Sequence, residues 1–399
     1  MSTGPLNGIR VLDIATILAA PFGGTLLADY GADVVKVELP GKGDGMRDFP
    51  PFKDGKGLWW KAAQRNKTFI TLDLRKTEGT ELLLQMLPQF DVLLENFRVG
   101  TLDKWGLTRE KLWEANPNLV ILRATAFGQT GPYANKPGFA RMFEAMSGMT
   151  YITGEEDRMP MHVCFPMGDA IGGLFGAISV LTALLGIAKG NIEGGEEIDL
   201  SLTEAMYRLF DVHTVQYDQL GVNAERSGNE SPYSAPANVY RTGDGHYISL
   251  SGSTQSTFSG NARAIGRPDL LEDARFATNA QRYRYRDELN TIFGQWFSKT
   301  PLADVLEAFE RENGTLAPIY NVEQILSDPQ FQAREAVISV PDHDFGQIKM
   351  PAVVPRFAKV PGAVRNTGGS VGQDNDRFFR EQLNLSNQEI EDLTRAGVI

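Results

Sequence analysis

The residue type and position best suited to chemistry is Asp169, which follows Gly168 and comes directly before a long apolar stretch. Two interpretations of this carboxylate are open. Aspartate is a favoured N-cap, so Asp169 could cap a helix that begins there. The N-terminus of that helix would also stabilise the ionised carboxylate, while the neighbouring glycine leaves room for a ligand. A carboxylate held in this way can serve as a covalent nucleophile.

Other reactive side chains are weaker candidates. Cys164 is the rival nucleophile, but a lone cysteine in an apolar setting usually serves packing, and His162 is more often a structural group than a base. One cysteine and four histidines without an H-E-x-x-H pair predict no metal site. A single cysteine also excludes an internal disulfide, and the N-terminus shows no signal-peptide pattern, so we expect a cytoplasmic protein.

Sequence motifs exclude several common enzyme classes. G-x-S-x-G occurs at residues 368–372, but a loop-like segment precedes it and all four histidines lie upstream, unlike an α/β-hydrolase. The glycines of residues 41–45 do not open a helix after the first strand, as dinucleotide binding would require, and a Walker loop is absent. The net charge of −11 disfavours nucleic acid and anionic membrane surfaces as general partners.

The uncharged stretch from Ala170 to Ala188 is close to the length of a membrane span. It carries four glycines and lacks an aromatic belt, and the chain contains no second such stretch. We therefore predict a helix buried in a globular core.

The first 125 residues alternate between short β-branched runs and helical patterns. The runs are apolar on both faces, which is typical of strands in a doubly covered parallel sheet. Predicted strands cover residues 9–15, 34–38, 68–74, 91–96, 119–124 and 198–202, and predicted helices cover 19–30, 78–87, 109–115 and 203–220.

The amino-acid composition and the pattern of predicted elements change in the later part of the chain. A polar, turn-rich stretch at 223–236 predicts a linker or mobile loop. Two strands around the turn at 242–245 and helices at 286–297 and 301–313 indicate a smaller α+β domain. A helix, an irregular Pro/Gly-rich run and a closing helix at 386–395 follow. We predict three regions, at 1–222, 223–325 and 326–399.

Seven segments at matching spacing resemble the class III CoA-transferases, the group of formyl-CoA transferase, carnitine CoA-transferase and the α-methylacyl-CoA racemases. The likeness runs from residue 5 to the C-terminus. The segments are LNGIRVLD (6–13), AAP (19–21), LADYGADVVKVE (27–38), ENFRVGTL (95–102), FGQTGP (127–132), AMSG (145–148) and GD (168–169).

The resemblance implies a Rossmann-like large domain formed by both chain ends, an inserted small domain and an interlocked homodimer. It also implies a mechanism. Asp169 would attack an acyl-CoA thioester to give an aspartyl anhydride, and the CoA thiolate would return to form an aspartyl-CoA thioester that a small carboxylic acid then attacks. Coenzyme A is then a substrate, with no tightly bound cofactor and no metal.

The resemblance further implies which residues contact CoA. Thr16, Leu18 and Ala19 would lie near the thiol end, and Leu74 and Arg75 near adenine. The rest of CoA would contact Asn96, Phe97, Lys104 and Trp105, with Arg98 as a further phosphate partner and Phe139 also assigned to CoA binding. An active-site loop corresponds to Ser231, Pro232, Tyr233 and Ser234.

Departures from the family pattern limit the specificity that can be predicted. Racemases have a histidine–aspartate pair where this chain has Phe139-Ala140, which lowers the racemase alternative, in which His162 would replace the missing base. Formyl-CoA transferase has a glutamine at the position of Leu18 and a glycine run in its loop, so its substrate pair is disfavoured. A non-catalytic acyl-CoA-binding protein is the third alternative.

Overall fold

The computed structural model of the chain describes residues 4–399. They form two compact units. The first, which we call the large unit, comprises residues 4–150, 162–220 and 332–399. The second, the small unit, comprises residues 151–161 and 221–331. The large unit is therefore built from both ends of the chain, and residues 151–161 join the small unit although no feature of the sequence distinguishes them.

A six-stranded parallel sheet forms the centre of the large unit. Its strand order is β5-β2-β1-β6-β7-β8, and every neighbouring pair is parallel. This confirms the predicted fold class and all six predicted strands, with ends that differ by up to three residues. The strands are β1 (Arg10–Asp13), β2 (Asp33–Glu38), β5 (Lys67–Thr71), β6 (Val92–Glu95), β7 (Val120–Thr125) and β8 (Glu196–Ser201).

Apolar residues alternate between the two faces of this sheet, and helices cover both. Val11, Val34 and Val120 pack with the helices at Ala19–Asp29 and Met167–Ala188. The adjacent residues Leu12 and Val35 pack on the other face, in a core with helices from the chain's C-terminus. The helices of the large unit are α1 (Ala19–Asp29), α2 (Leu58–Ala63), α3 (Thr77–Met86), α4 (Thr101–Lys104), α5 (Arg109–Ala115), α6 (Ala140–Met146), α8 (Met167–Ala188), α9 (Leu202–Tyr207), α10 (Asp211–Leu220), α17 (Asn375–Leu383) and α18 (Asn387–Arg395).

Two predictions for the large unit need correction. The helix predicted at 203–220 breaks at residues 208–210 into α9 and α10, and the region after 326 contains a hairpin and α17, which we did not predict. Large-unit residues also form short 3₁₀-helices at Gly45–Asp48 and Leu87–Gln89. Two hairpins complete it: β3 (Phe52–Lys53) with β4 (Lys56–Gly57), and β12 (Val337–Asp342) with β13 (Gly346–Pro351).

The long apolar helix α8 is only partly a core helix. Its glycine-rich face is buried, whereas Leu174, Ile178, Leu181 and Leu185 on the other side are exposed, Ile178 to 58%. The prediction of a fully buried helix was therefore wrong for one face. By length and composition alone α8 is the one helix within residues 4–399 that could also cross a membrane.

The small unit has an antiparallel sheet in the order β11-β10-β9 and a core rich in phenylalanine. The predicted turn at 242–245 joins β9 and β10, and the helix predicted at 286–297 has those bounds. Its elements are β9 (Ala237–Arg241), β10 (Tyr247–Ser251), β11 (Leu316–Pro318), α11 (Gln255–Ala264), α12 (Asn279–Arg284), α13 (Arg286–Phe297), α14 (Leu302–Arg311) and α15 (Val322–Ser327), with 3₁₀-helices at Pro268–Leu271 and Ala274–Phe276. The chain passes between the units within α7 (Met149–Ile152) and α16 (Pro329–Ala333).

Glycines allow α8 and α1 to pack backbone to backbone. A Cβ on Gly173 would lie 2.8 Å from the carbonyl oxygen of Ala19 and 3.1 Å from the nitrogen of Gly23. Backbone atoms cannot move aside cheaply, so Gly173→Ala should destabilise the protein by about 1–3 kcal/mol. Gly294→Ala in α13 is the control, because its nearest neighbour would be 3.7 Å away and alanine is the better helix former. Thermal unfolding of both variants measures the difference, and equal stabilities would contradict the packing argument.

Candidate functional site

A cavity of about 250 Å³ opens at the carboxyl edge of the central sheet. Its lining comes from the segments that follow β1, β2, β5 and β6. After β1 the chain adds β2 and β5 on one side of β1, whereas β6, β7 and β8 lie on the other side. The direction in which strands are added therefore reverses at the boundary between β1 and β6. Ligands of open α/β sheets bind in the crevice at such a switch point. The fold therefore predicts a ligand site at this edge.

The cavity brings together five of the residues predicted to contact CoA. They come from three separate segments of the chain, and the rings of Phe97 and Trp105 meet edge to face with centroids 5.1 Å apart. Apolar side chains of neighbouring strands complete the wall. The five residues are Thr16, Leu74, Arg75, Phe97 and Trp105.

The other predicted contacts lie outside the cavity lining. Leu18 and Ala19 are buried at the start of α1. Arg98 and Lys104 are exposed near the end of β6 and in α4, and Phe139, 71% exposed, precedes α6. The side-chain amide of Asn96 is bonded to the backbone of Thr16, which lines the cavity.

Arg75 is already paired. Its guanidinium donates two hydrogen bonds to Asp73, at 2.7 and 2.8 Å, and this lowers the pKa of the Asp73 carboxyl. Asp73 also lines the cavity. An anionic ligand at this end would therefore meet a carboxylate as well as the arginine, whose side chain is 58% exposed.

Asp169 is the third residue of α8, and the cap position belongs to Pro166. The N-cap interpretation is therefore wrong. The function of a cap is carried out from another helix, because Glu144 of α6 accepts a hydrogen bond from the backbone nitrogen of Gly168 at 3.0 Å. The carboxylate of Asp169 is left partly buried in the first helical turn, where the helix dipole favours negative charge.

The surroundings of Asp169 favour its protonated form more than water does. Burial, and then the negative charge of Glu144, raise the pKa of Asp169 from 3.8 to about 7. Glu144 itself is almost fully buried, and its second oxygen lies 3.0 Å from Nδ1 of His162. No local pattern in the sequence points to Glu144. The interpretation of His162 as a structural group agrees with this contact.

A buried group of charges lies beneath the loop between β1 and α1. Lys67 donates to Asp13 at 2.8 Å, and Lys36 lies 3.0 Å from Asp44, with all four side chains shielded from solvent. No sequence motif marks these residues. The one indication in the sequence is Lys36, because a lysine within an otherwise apolar, doubly covered strand needs a buried partner.

The predicted active-site loop, Ser231 to Ser234, belongs to the small unit. Within that unit Ser234 is buried and donates to the hydroxyl of Ser231 at 3.0 Å, and Asn279 donates to the carbonyl of Tyr233 at 2.9 Å. The Tyr233 side chain is 75% exposed. The loop is thus anchored by its backbone and serines and presents one aromatic ring.

The remaining candidates from the sequence play no part in this arrangement. Cys164 is exposed instead of packed. Ser370 of the G-x-S-x-G match lies in an irregular segment without a preceding strand, which supports rejecting that motif. Within residues 4–399 no three His, Cys, Asp or Glu side chains are grouped so that they could hold a metal ion.

Comparison with known proteins establishes the family. A sequence model of CoA-transferase family III matches residues 6–375. The chain belongs to this family. The succinyl-CoA–D-citramalate CoA-transferase of Chloroflexus aurantiacus is 41% identical over 99% of this chain and 98% of its own. The succinate–glutarate CoA-transferase of Agrobacterium fabrum is 35% identical over 83% of this chain and 84% of its own.

Solved structures agree with this assignment. A CAIB/BAIF family protein from Brucella suis matches with a TM-score of 0.84 and 31% identity, over 95% of this chain and all of its own. The protein is a CoA-transferase whose substrates are CoA thioesters and carboxylic acids. This confirms the resemblance stated above.

Proposed function

We propose that this CoA-transferase moves CoA from succinyl-CoA to a short dicarboxylic or hydroxydicarboxylic acid through a covalent intermediate on Asp169. The observation that carries the proposal is the position of Asp169 in the first turn of α8, where Glu144 performs the capping role and leaves the aspartate carboxylate available. The substrate class is supported by the names of two relatives, a succinyl-CoA–D-citramalate CoA-transferase and a succinate–glutarate CoA-transferase.

The proposed reaction is a series of acyl transfers. The Asp169 carboxylate attacks the thioester carbon, the C–S bond breaks, and CoA leaves as a thiolate from an aspartyl-succinyl anhydride. The thiolate then attacks the aspartyl carbonyl, which releases succinate and leaves an aspartyl-CoA thioester. The acceptor carboxylate repeats the sequence in reverse and departs as its CoA thioester. All bonds made and broken are acyl C–O and C–S bonds, so this chemistry needs no tightly bound cofactor.

The site supplies two aids to this chemistry. Holding the thioester against the carboxylate converts a collision into an intramolecular step, for which effective molarities of about 10⁵–10⁸ M are known. Partial burial removes water from the carboxylate and makes it more basic, as its raised pKa shows. A more basic carboxylate is also the better nucleophile. Because only the carboxylate form can attack, the fraction of Asp169 that is deprotonated sets the pH dependence of the reaction.

The proposal is tested by exchange assays with succinyl-CoA and acetyl-CoA as donors against citramalate, malate, glutarate, oxalate and formate as acceptors. We expect transfer from succinyl-CoA to four- and five-carbon acids and little to formate. A protein that moves CoA only from other donors would contradict the substrate class. Deuterium uptake at the α-carbon of a 2-methylacyl-CoA, without CoA exchange, would indicate a racemase instead.

We further propose a homodimer. Two exposed surfaces of the large unit support it: the apolar outer face of α8, with Leu174, Ile178 and Leu185, and helix α10, none of whose residues is buried within this chain. Neighbouring exposed apolar side chains such as those of α8 are typical of an interface. A second copy of the chain is the proposed occupant, consistent with the interlocked dimer that the family resemblance implies.

Light scattering after size exclusion should therefore give twice the 43.9 kDa of one chain. Ile178→Asp should shift the protein toward monomers or aggregates, because it places a charge within the apolar face. Phe52→Asp, at a residue of the β3–β4 hairpin that is 50% exposed against 58% for Ile178, is the control. A wild-type mass of one chain at micromolar concentration would contradict the dimer.

We also propose a cytoplasmic location. The one cysteine, Cys164, is a free and exposed thiol, which is compatible with a reducing compartment. Fractionation of cells that express the tagged chain would test this.

A further inference from the structure

The loop between β1 and α1 is held by side chains at every backbone polar group of three consecutive residues. Asp13 accepts from the nitrogen of Ala15 at 3.1 Å, and Lys36 donates to the carbonyl of Ala15. Asn96 binds both the nitrogen and the carbonyl of Thr16, each at 2.7 Å. Such complete side-chain bonding of a loop fixes its conformation, because no backbone group depends on water.

The third residue, Ile17, has a strained backbone. Its φ is +65°, in the left-handed region that β-branched residues rarely adopt. Asp44 accepts from the nitrogen of Ile17 with both carboxylate oxygens, at 3.0 and 3.2 Å, and Gln64 donates to its carbonyl at 3.3 Å. Strain of this kind persists only where the surrounding structure enforces it.

The charge of Asp44 is itself held in place. The carboxylate lies 3.0 Å from Nζ of Lys36 and accepts from the nitrogen of Met46 at 2.9 Å. Lys36 is completely buried and also bonds the carbonyl of Ala15, so one ion pair fixes both ends of the three-residue loop. Both oxygens of Asp44 accept hydrogen bonds from protein donors. Asp44 therefore affects the reaction through the loop and not by contacting the substrate.

The loop connects the cavity with the helix pair that carries Asp169. Thr16 lines the cavity, and α1 begins two residues after Ile17. The carbonyl of Ala19 in α1 lies against Gly173 of α8, four residues after Asp169. A change in the loop would shift both the cavity wall and α1 relative to α8.

We propose that Asp44 is a positioning residue, which holds Ile17 in its left-handed conformation and so aligns the loop at the thioester end of the CoA site with Asp169. This inference rests on the proposed function. Misalignment of a reacting group by as little as 1 Å can lower a rate by about 10²-fold, so the effect belongs on kcat.

The test replaces Ile17 by glycine, which removes the backbone strain that the hydrogen bonds of Asp44 offset. Asp44→Ala should lower kcat at saturating succinyl-CoA by about tenfold or more, because Ile17 can then relax to a negative φ. Ile17→Gly alone should stay within about threefold of wild type, since glycine adopts positive φ freely. The double variant should recover at least about a third of the lost activity on a logarithmic scale, because glycine keeps access to the left-handed conformation without the carboxylate.

The control is Glu335→Gly in the Asp44→Ala background. Glu335 also has a positive φ, of 46°, and is exposed in the segment between α16 and β12. It should give no recovery. A merely structural role of Asp44 predicts loss of folded protein, seen by near-ultraviolet circular dichroism, and no difference between the two glycine substitutions. Equal recovery by both, or none by either, overturns the inference.

A second variant covers failure of Asp44→Ala to fold. Asp44→Asn keeps the side-chain volume and one acceptor oxygen, and the same scheme then predicts about a threefold loss of kcat with recovery by Ile17→Gly. Hydrogen exchange of the amides of residues 15–17 supplies a readout independent of activity, and it should become faster in either Asp44 variant. Unchanged exchange overturns the inference, whereas absence of CoA transfer by wild type overturns the proposed function.

Discussion

Asp169→Asn should abolish CoA exchange, lowering kcat by at least ~10⁴-fold, because removal of a covalent nucleophile leaves only binding and proximity. The amide is nearly isosteric with the carboxylate, so the site keeps its shape. Exchange between succinyl-CoA and an acceptor acid, followed by chromatography of the CoA esters, measures the effect.

The matched control is Asp376→Asn, which also changes an aspartate in the first turn of a helix, at an exposed position of α17. This variant should keep wild-type activity. Asp169→Asn should still bind CoA, which calorimetry can check. Substantial residual exchange by folded Asp169→Asn would contradict the nucleophile assignment.

The same substitution should stabilise the fold. A carboxyl whose pKa is raised to about 7 holds its proton in the folded protein where the unfolded chain, at 3.8, has lost it. Charging Asp169 therefore opposes folding increasingly from about pH 4 to pH 7, and fully above pH 7. After allowance for partial exposure, Asp169→Asn should be more stable at pH 8 by on the order of 2 kcal/mol, with no difference near pH 4.

The rate at which succinyl-CoA acylates Asp169 should fall about tenfold per pH unit below pH 7, and so about 100-fold between pH 8 and pH 5. Only the carboxylate form can attack, and the pKa of Asp169 is raised to about 7 by burial and by Glu144. Rapid-quench measurement of acylated protein at saturating succinyl-CoA gives this profile. A rate independent of pH over this range would contradict the electrostatic description.

Glu144→Gln should move the acid limb of this profile to lower pH. The amide removes the negative charge that raises the pKa of Asp169, and it keeps an oxygen that can accept the hydrogen bond from Gly168. The neighbouring His162 has its Nδ1 3.0 Å from the Glu144 carboxylate. A shift toward higher pH, or none, would show that Glu144 does not act on Asp169 electrostatically.

Local patterns in the sequence were enough to predict the parallel sheet of the large unit. Strands such as Val120–Thr125 are apolar on both faces, which only a doubly covered sheet explains, and the alternation with helices fixes parallel crossovers. Asp169 could be singled out because a charged residue before an uncharged stretch is conspicuous. The position of the ligand site at the edge of the sheet follows from the strand order. The strand order cannot be read directly from the sequence.

The remaining features depend on contacts between distant residues. Glu144 replaces the cap of α8 from 24 positions away, so the N-cap interpretation of Asp169, reasonable from local preference, was wrong. Ile17 shows no sign in the sequence of a left-handed backbone, since its bonds come from Asp44 and Gln64. The exposure of one face of α8 could likewise not be predicted, because an apolar helix has the same composition whether its own chain or a second chain covers it.

The central claim, that Asp169 carries the acyl group and then CoA, can be tested directly by trapping. Wild-type protein is incubated with succinyl-CoA, quenched with hydroxylamine, digested and analysed by mass spectrometry. The account predicts an aspartyl hydroxamate on Asp169, absent without succinyl-CoA and absent in Asp169→Asn. A hydroxamate on another residue, or none at all during rapid product formation, would contradict it.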